Sequence, residues 1–228
     1  LFAPFIATYP GATDSTDFGT GATAPSLEHP MGTDDTGRDI LSRVIFGSRI
    51  SLMIGAVVLT LAISIGTTLG LVAGYLGGPV NSVIMRTSDV FLSIPPIVLA
   101  MAVIAALGQS LLFAIVAISF SWWAWYARLV QGEVLSVKEE NFVEASKAMG
   151  AGWTRIAFKE VLPNVTGPII VKATLDMGFA ILVAASLSFL GLGSQPPTPD
   201  WGTMVASGRS YVTSFWWISV FPGLAISY

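Results

Sequence analysis

The chain predicts an all-α fold, a polytopic bundle of transmembrane helices, and three observations carry that expectation. Four stretches, 50–75, 90–108, 110–127 and 173–192, hold almost no charge. Each approaches or exceeds the length needed to cross about 30 Å of hydrocarbon. Only 11% of the 228 residues are charged and 53% are hydrophobic, a balance suited to a bilayer rather than to a water-soluble core. Runs such as PPIVLAMAVIAALG do not alternate, which argues against a membrane β-barrel.

The elements follow in order. LFAPFIA reads as the tail of an earlier membrane helix, so a helix before Leu1 is expected. Residues 9–30, rich in Gly, Thr, Asp and Pro, form a long irregular loop. In MGTDDTGRDILSRVIFGSRISL, Thr36 or Asp39 can cap a short interfacial helix with Ile40, Leu41, Val44 and Ile45 on its apolar side. This divides the chain into an external loop and interfacial helix at 1–49 and a transmembrane domain at 50–228, whose last helix, from 215 onward, is truncated.

Helix 50–75 carries Gly66, Gly70 and Gly74 at intervals of four, a surface on which another backbone can approach closely. The ordinary glycine content of membrane helices would give the same pattern. Tyr75, Gly77, Gly78 and Pro79 close that helix, and residues 83–89 lead into the next. Ser93, Ile94, Pro95 and Pro96 free backbone carbonyls and bend the following span, a break that can line a passage. A tight turn through Gly108, Gln109 and Ser110 leads to a span ending in Trp122, Trp123, Trp125 and Tyr126, an aromatic belt followed by Arg128.

Between Arg128 and Lys172 the chain holds six Lys or Arg, whereas residues 1–49 hold three Arg against six Asp or Glu. The first segment belongs in the cytoplasm by this asymmetry. Three crossings, at 50–75, 90–108 and 110–127, place the N-terminal loop outside, and residues 191–214 are then outside as well.

The charged island SVKEENFVEASKAMGAGWTRIAFKEVLPN is where the membrane part meets a soluble partner. Asn141 can cap a helix with Glu144 at its third position, a capping box, and Phe142, Ala145 and Met149 then share one side. Gly150 supplies a left-handed stop. A second short helix runs from Trp153 to Val161, with Ile156, Phe158 and Val161 free to pack. An amphipathic surface linker is the simpler reading of the same pattern.

Several function classes are excluded or weakened. The absence of cysteine removes disulfides and thiolate metal sites, and a single histidine cannot build a zinc centre. A net charge of −3 without a basic run makes nucleic acid no partner. No GxxxxGK[ST] loop is present, so the chain is not itself an ATPase. Asp176 and Lys172 lie four residues apart in the 173–192 region, either neutralising one another or lining a pathway. His29, Asp34, Asp35 and Asp39 lack a Ca²⁺-loop spacing and read as capping and loop hydrogen bonding. Gln195, Pro196, Pro197, Pro199, Asp200 and Trp201 read as a rigid outer loop.

EASKAMGAGWTRIAFKEVLP, residues 144–163, resembles the EAA loop of bacterial ABC importer permeases. Ser146 replaces that family's second alanine, and Glu160 stands where an aliphatic residue is usual. HPMGTDDTGRDILSRVIFGSRISL, the SIPP element at 93–96 and SFLGLGSQPPTPDWGTMV are similar to the C-type permeases of dipeptide and oligopeptide importers, a family that includes nickel importers. The resemblance implies a type I ABC importer permease fold in the bacterial inner membrane, with a cytoplasmic coupling loop at about 129–163. It implies as partners a second related permease, two cytoplasmic ATP-binding subunits carrying ATP and Mg, an external substrate-binding protein and membrane lipid. The chain itself then needs no cofactor, metal or catalytic residue. Asn141, Phe142, Glu144, Ala145, Ser146, Met149, Gly150 and Trp153 become the ATPase-coupling residues. Gly66, Gly70, Gly74, Pro95, Pro96 and Asp176 serve helix packing or gating. The expected cargo is a dipeptide or oligopeptide, with nickel complexes as the alternative. A secondary transporter fits less well, since it needs ion-coupling sites in discontinuous helices and has no use for an ATPase-docking loop.

Overall fold

Asp39 starts the first helix: its carboxylate accepts the Ser42 N–H at 2.8 Å, satisfying an orphan donor of the first turn. From there a computed structural model, which describes residues 7, 9, 21–194 and 198–227, shows one uninterrupted 37-residue helix, Ile40–Leu76 (α1). The expected separate interfacial helix is therefore fused to the first span. No proline lies between Met31 and Gly78, and Gly47 is packed against the Trp201 ring rather than opening the helix. The segment LFAPFIA falls almost wholly outside the described residues, as do Gln195, Pro196 and Pro197.

Gly77 and Gly78, at φ 67° and 51°, end α1 in the left-handed region that a side chain resists. Helix α2 (Gly78–Leu92) and helix α3 (Pro96–Leu107) follow, with a 91° bend between them. The expected single span at 90–108 is thus broken within its first turn. Pro95 and Pro96 bring no N–H to the ladder, while Pro96 suits the first position of a new helix. Alone, the 12 residues of α3 rise about 18 Å and cannot cross the hydrocarbon.

Gly108, at φ 103°, turns the chain, and the Ser110 hydroxyl caps helix α4 (Leu111–Val137) by accepting the Phe113 N–H at 3.1 Å. The helix runs ten residues beyond its expected end at 127. The aromatic belt is also revised: Trp122, Trp123 and Tyr126 are buried within the chain, and only Trp125 is half exposed. Small residues make room for these rings. Trp123 packs with Ala73, Met85, Ala124 and Ala127, and Phe91 meets its edge at 5.2 Å.

Helix α5 (Asn141–Ala148) is followed by a turn at Trp153–Arg155, a π-helical stretch at Ile156–Val161 and a turn at Leu162–Asn164. Helix α6 (Thr166–Phe189) is the third helix long and apolar enough to cross a membrane, with α1 and α4, and it begins before its expected start at 173. Among the described residues, counting the bent α2–α3 pair as one span gives four. Helix α7 (Trp201–Gly208) and helix α8 (Trp217–Ser227) close the described chain.

Two compact units emerge from the contacts. The first comprises Leu1–Ala56, Met101–Val116 and Phe179–Tyr228. Its core joins Ile40, Met204, Trp217 and Ile218. The indole N–H groups of buried Trp217 and part-buried Trp201 are both satisfied: Trp217 Nε1 donates to the Thr33 carbonyl at 3.2 Å and Trp201 Nε1 to the Val44 carbonyl at 2.9 Å. The second unit comprises Val57–Ala100 and Ala117–Gly178 and holds the coupling segment.

Candidate functional site

The site is built on α4, which carries the chain out of the bundle. Gly66, Gly70 and Gly74 lie on α1 beneath it, and a Cβ added at each would stand 2.4 Å from the Trp123 carbonyl oxygen, 2.4 Å from the Ala127 carbonyl oxygen and 2.8 Å from Val134 Cβ. The glycine row is therefore a seat for the α4 backbone. In a bilayer such close approach is the main source of helix–helix attraction, since lipid tails are as apolar as leucine. Polar ties reinforce the seat. Lys138 Nζ donates to the Gly74 carbonyl at 3.3 Å, Gln131 Nε2 to Asn81 Oδ1 at 3.2 Å, and Arg128 pairs with Asp89 on α2.

Beyond Val137 the chain turns into α5. Glu140, not Asn141, is its N-cap residue, at φ −73° and ψ 146°, and no side chain bonds the free N–H groups. The capping box expected from Asn141 and Glu144 is absent because the helix starts one residue earlier, with Asn141 at its first position rather than at its cap. The Glu140 carbonyl takes the N–H groups of Val143 and Glu144 at 3.0 and 3.3 Å.

Val143 and Ser146 are buried, three residues apart on the inner side of α5. Phe142, Ala145 and Met149 lie on the outer side, Met149 with 80% of its surface exposed. Ser146 therefore faces inward on α5, where its small side chain is buried. Sequence reasoning passed over Val143, which is completely buried on the same side. Glu144 and Asn141 are exposed. Gly150, at φ 80°, provides the left-handed turn, with its N–H bonded to the Lys147 carbonyl at 2.9 Å.

Trp153 stacks on Tyr75 at the end of α1, ring centroids 6.5 Å apart. The segment after it departs from the expected α-helix: it winds as a π-helix over Ile156–Val161, and the Leu162 N–H reaches back five residues to the Ala157 carbonyl. Ile156, Ala157 and Val161 are buried, whereas Phe158 is exposed. One carboxylate oxygen of Glu160 is enclosed without a hydrogen-bond partner.

Above the coupling segment, Asp176 on α6 accepts the Tyr126 hydroxyl at 2.8 Å and the Lys172 ammonium at 3.0 and 3.2 Å. Lys172 also lies 5.5 Å from the Tyr126 ring centroid and 5.7 Å from that of Trp125, within cation–π range. Asp176 is therefore neutralised within the chain. Tyr126, fifty residues away in sequence, is the partner that the sequence did not reveal.

Among the described residues no group of His, Cys, Asp or Glu could hold a metal ion. Asp34 and Asp39 are engaged otherwise. Asp34 accepts from the Thr36 N–H and hydroxyl and the Arg38 N–H and Nε at 2.7 to 3.0 Å, with Arg43 Nε at 3.7 Å. Asp39 faces His29 Nδ1 at 2.9 Å.

Residues 66–227 match the family model of the binding-protein-dependent transport system inner membrane component. The chain belongs to this family. It is accordingly a multi-pass, non-catalytic component of the inner membrane, in an importer architecture whose ATP hydrolysis resides in separate subunits. It is 46% identical over 227 residues to the probable D,D-dipeptide transport system permease protein DdpC of Escherichia coli K12, covering 99% of this chain and 75% of that protein. It is 45% identical to the dipeptide transport system permease protein DppC of Alkalihalophilus pseudofirmus, covering 99% and 74%. In three dimensions it resembles a chain of the inward-facing MetNI methionine ABC transporter, with a TM-score of 0.64 at 20% identity over 81% of this chain and 89% of that one. The all-α permease fold expected from the sequence is the one found.

Proposed function

We infer that this permease subunit moves dipeptides or oligopeptides inward across the bacterial inner membrane, in a complex driven by ATP. The observation that carries the substrate class is the near-complete alignment with proteins named for dipeptide transport, at 46% and 45% identity over 99% of the chain. The complex comprises this chain, a second related permease, two cytoplasmic ATP-binding subunits that hold ATP and Mg, and an external substrate-binding protein.

The geometry supports a division of labour within the coupling segment. Phe142, Ala145 and Met149 present an exposed apolar row to an ATPase groove, while Val143 and Ser146 hold α5 to its own chain. Glu144 offers a carboxylate beside that row, Gly150 turns the chain, and Trp153 fixes the far side to Tyr75. Closure of the ATPase subunits on ATP moves α5, and α4 and α6 carry the displacement into the bundle. The exposed apolar residues Ile170, Val171, Leu175 and Phe179 on α6 provide surface for lipid and the second permease. The Pro95–Pro96 break and the glycine row are places where the helices can change their course.

Reconstitution of the complete complex in liposomes tests the reading. Labelled dipeptide should accumulate only with ATP, both ATPase subunits and the binding protein present. Uptake of nickel complexes with no uptake of any peptide would reject the substrate class and keep the mechanism.

A further inference from the structure

The Lys172–Asp176 pair lies within α6, so by itself it joins nothing to α4. The interhelical hydrogen bond comes from the Tyr126 hydroxyl, which meets Asp176 Oδ2 at 2.8 Å, while Lys172 is held over the rings of Trp125 and Tyr126. Tyr126 is completely buried. Its hydroxyl therefore has no water to exchange with, and Asp176 shares its oxygens between the two donors.

The position of this contact gives it a mechanical meaning. Helix α4 continues eleven residues past Tyr126 to Val137, and α6 begins at Thr166, ten residues before Asp176. At 1.5 Å per residue, these arms are about 17 Å and about 15 Å long. They are nearly equal, and the coupling segment hangs between their ends. We propose that Tyr126 and Asp176, with Lys172 holding the carboxylate, are positioning residues: a crossbar that stays closed during transport and makes α4 and α6 move as one lever. Without it a push on α5 spreads the two helices instead of displacing them together. This rests on the reading of the chain as an ATP-coupled importer subunit.

The test uses the complete complex in liposomes and measures peptide accumulated per ATP hydrolysed. Tyr126→Phe keeps the ring and the ion pair and removes only the bridging hydroxyl. Its transport ratio should fall about three- to tenfold, the scale of one interhelical hydrogen bond in a membrane, while basal ATP hydrolysis and co-purification of the ATPase subunits stay within about twofold. Asp176→Leu takes away the acceptor itself, so combined with Tyr126→Phe it should be no worse than Asp176→Leu alone, because the tyrosine hydroxyl then has no acceptor to lose. A merely structural role predicts a lower thermal stability of the complex with an unchanged ratio, and that result overturns the proposal.

A rescue sharpens the test, since the chain contains no cysteine. With the other subunits cysteine-free, a short bis-thiol linker joining Tyr126→Cys and Asp176→Cys should restore the ratio lost in the unlinked variant. Loss of transport on linking shows that the contact must open, and refutes a permanent crossbar. If the wild-type complex accumulates no peptide, the substrate reading fails. Stimulation of ATP hydrolysis by the loaded binding protein then reports on the crossbar, and equal stimulation in wild type and Tyr126→Phe overturns it.

Discussion

Replacing Gly70 by alanine tests the seat between α1 and α4 most directly. The new methyl would lie 2.4 Å from the Ala127 carbonyl oxygen and 2.9 Å from Val130 Cβ. Neither atom can rotate away, since one is backbone and the other is fixed to it. Regaining ordinary contact distances requires the helices to separate by about 1 Å. Overpacking of this kind costs about 1–3 kcal/mol. The Lys138 contact to the Gly74 carbonyl, already 3.3 Å long, is lost with the separation, adding about 0.6 kcal/mol by membrane-protein averages. Alanine's better helix propensity returns up to about 1 kcal/mol, leaving a net loss of about 1–3 kcal/mol. Thermal unfolding of the detergent-solubilised complex measures it, with Gly132→Ala as the control, because a Cβ at Gly132 meets nothing within 4 Å. The control should be neutral or slightly stabilised. Wild-type stability for Gly70→Ala, or an equal loss at Gly132, would refute the close-packing account.

Other outcomes follow from the same geometry. Met149→Asp should reduce co-purification of the ATPase subunits at least about tenfold, the effect of about 1.4 kcal/mol, with little change in melting temperature because Met149 is 80% exposed; Val143→Asp, at a fully buried position, should lower stability as well, by several kcal/mol. Replacing both Pro95 and Pro96 with alanine should relax the 91° break, and spin labels on α2 and α3 should report a longer distance between the helices; an unchanged distance means tertiary packing sets the bend. Asp34→Ala leaves Arg38 and Arg43 without their shared carboxylate and should cost about 3–5 kcal/mol, seen as faster hydrogen exchange over residues 22–43; protection equal to wild type would show that the carboxylate does not hold this region.

What the sequence made legible was whatever repeats locally. Uncharged runs marked α1, α4 and α6, and the adjacent prolines marked a bend, because both signals lie within one helix. Gly150 was readable for the same reason, as a turn residue next to a short amphipathic helix. The errors have a common cause. Trp122, Trp123 and Tyr126 look like an interfacial belt by composition, but Gly66, Gly70 and Ala73 make room for rings and backbone from a distant part of the chain. Asn141 is a better capping residue than Glu140, yet α5 begins at Asn141 itself, with Val143 and Ser146 buried on its inner side. The Tyr126–Asp176 contact spans fifty residues, and no local pattern announces it. The π-helical winding at Ile156–Val161 likewise places three buried side chains, Ile156, Ala157 and Val161, against a surface that sequence periodicity does not encode.

The length of α1 bears on how the protein meets bilayers of different thickness. Its 37 residues rise about 55 Å. Even at a tilt of about 40°, a hydrocarbon core of about 30 Å takes up only about 39 Å of helix. Some ten residues must therefore stand in the headgroup region or in water, and the Gly47 seat against Trp201 braces the end where they do so. Leu52, Met53, Val57, Leu61 and Ile65 continue an exposed apolar row deeper along the rod. A thicker or thinner membrane can then slide its boundary along a helix that is already formed, so hydrophobic mismatch is absorbed at α1 without bending it or changing its tilt.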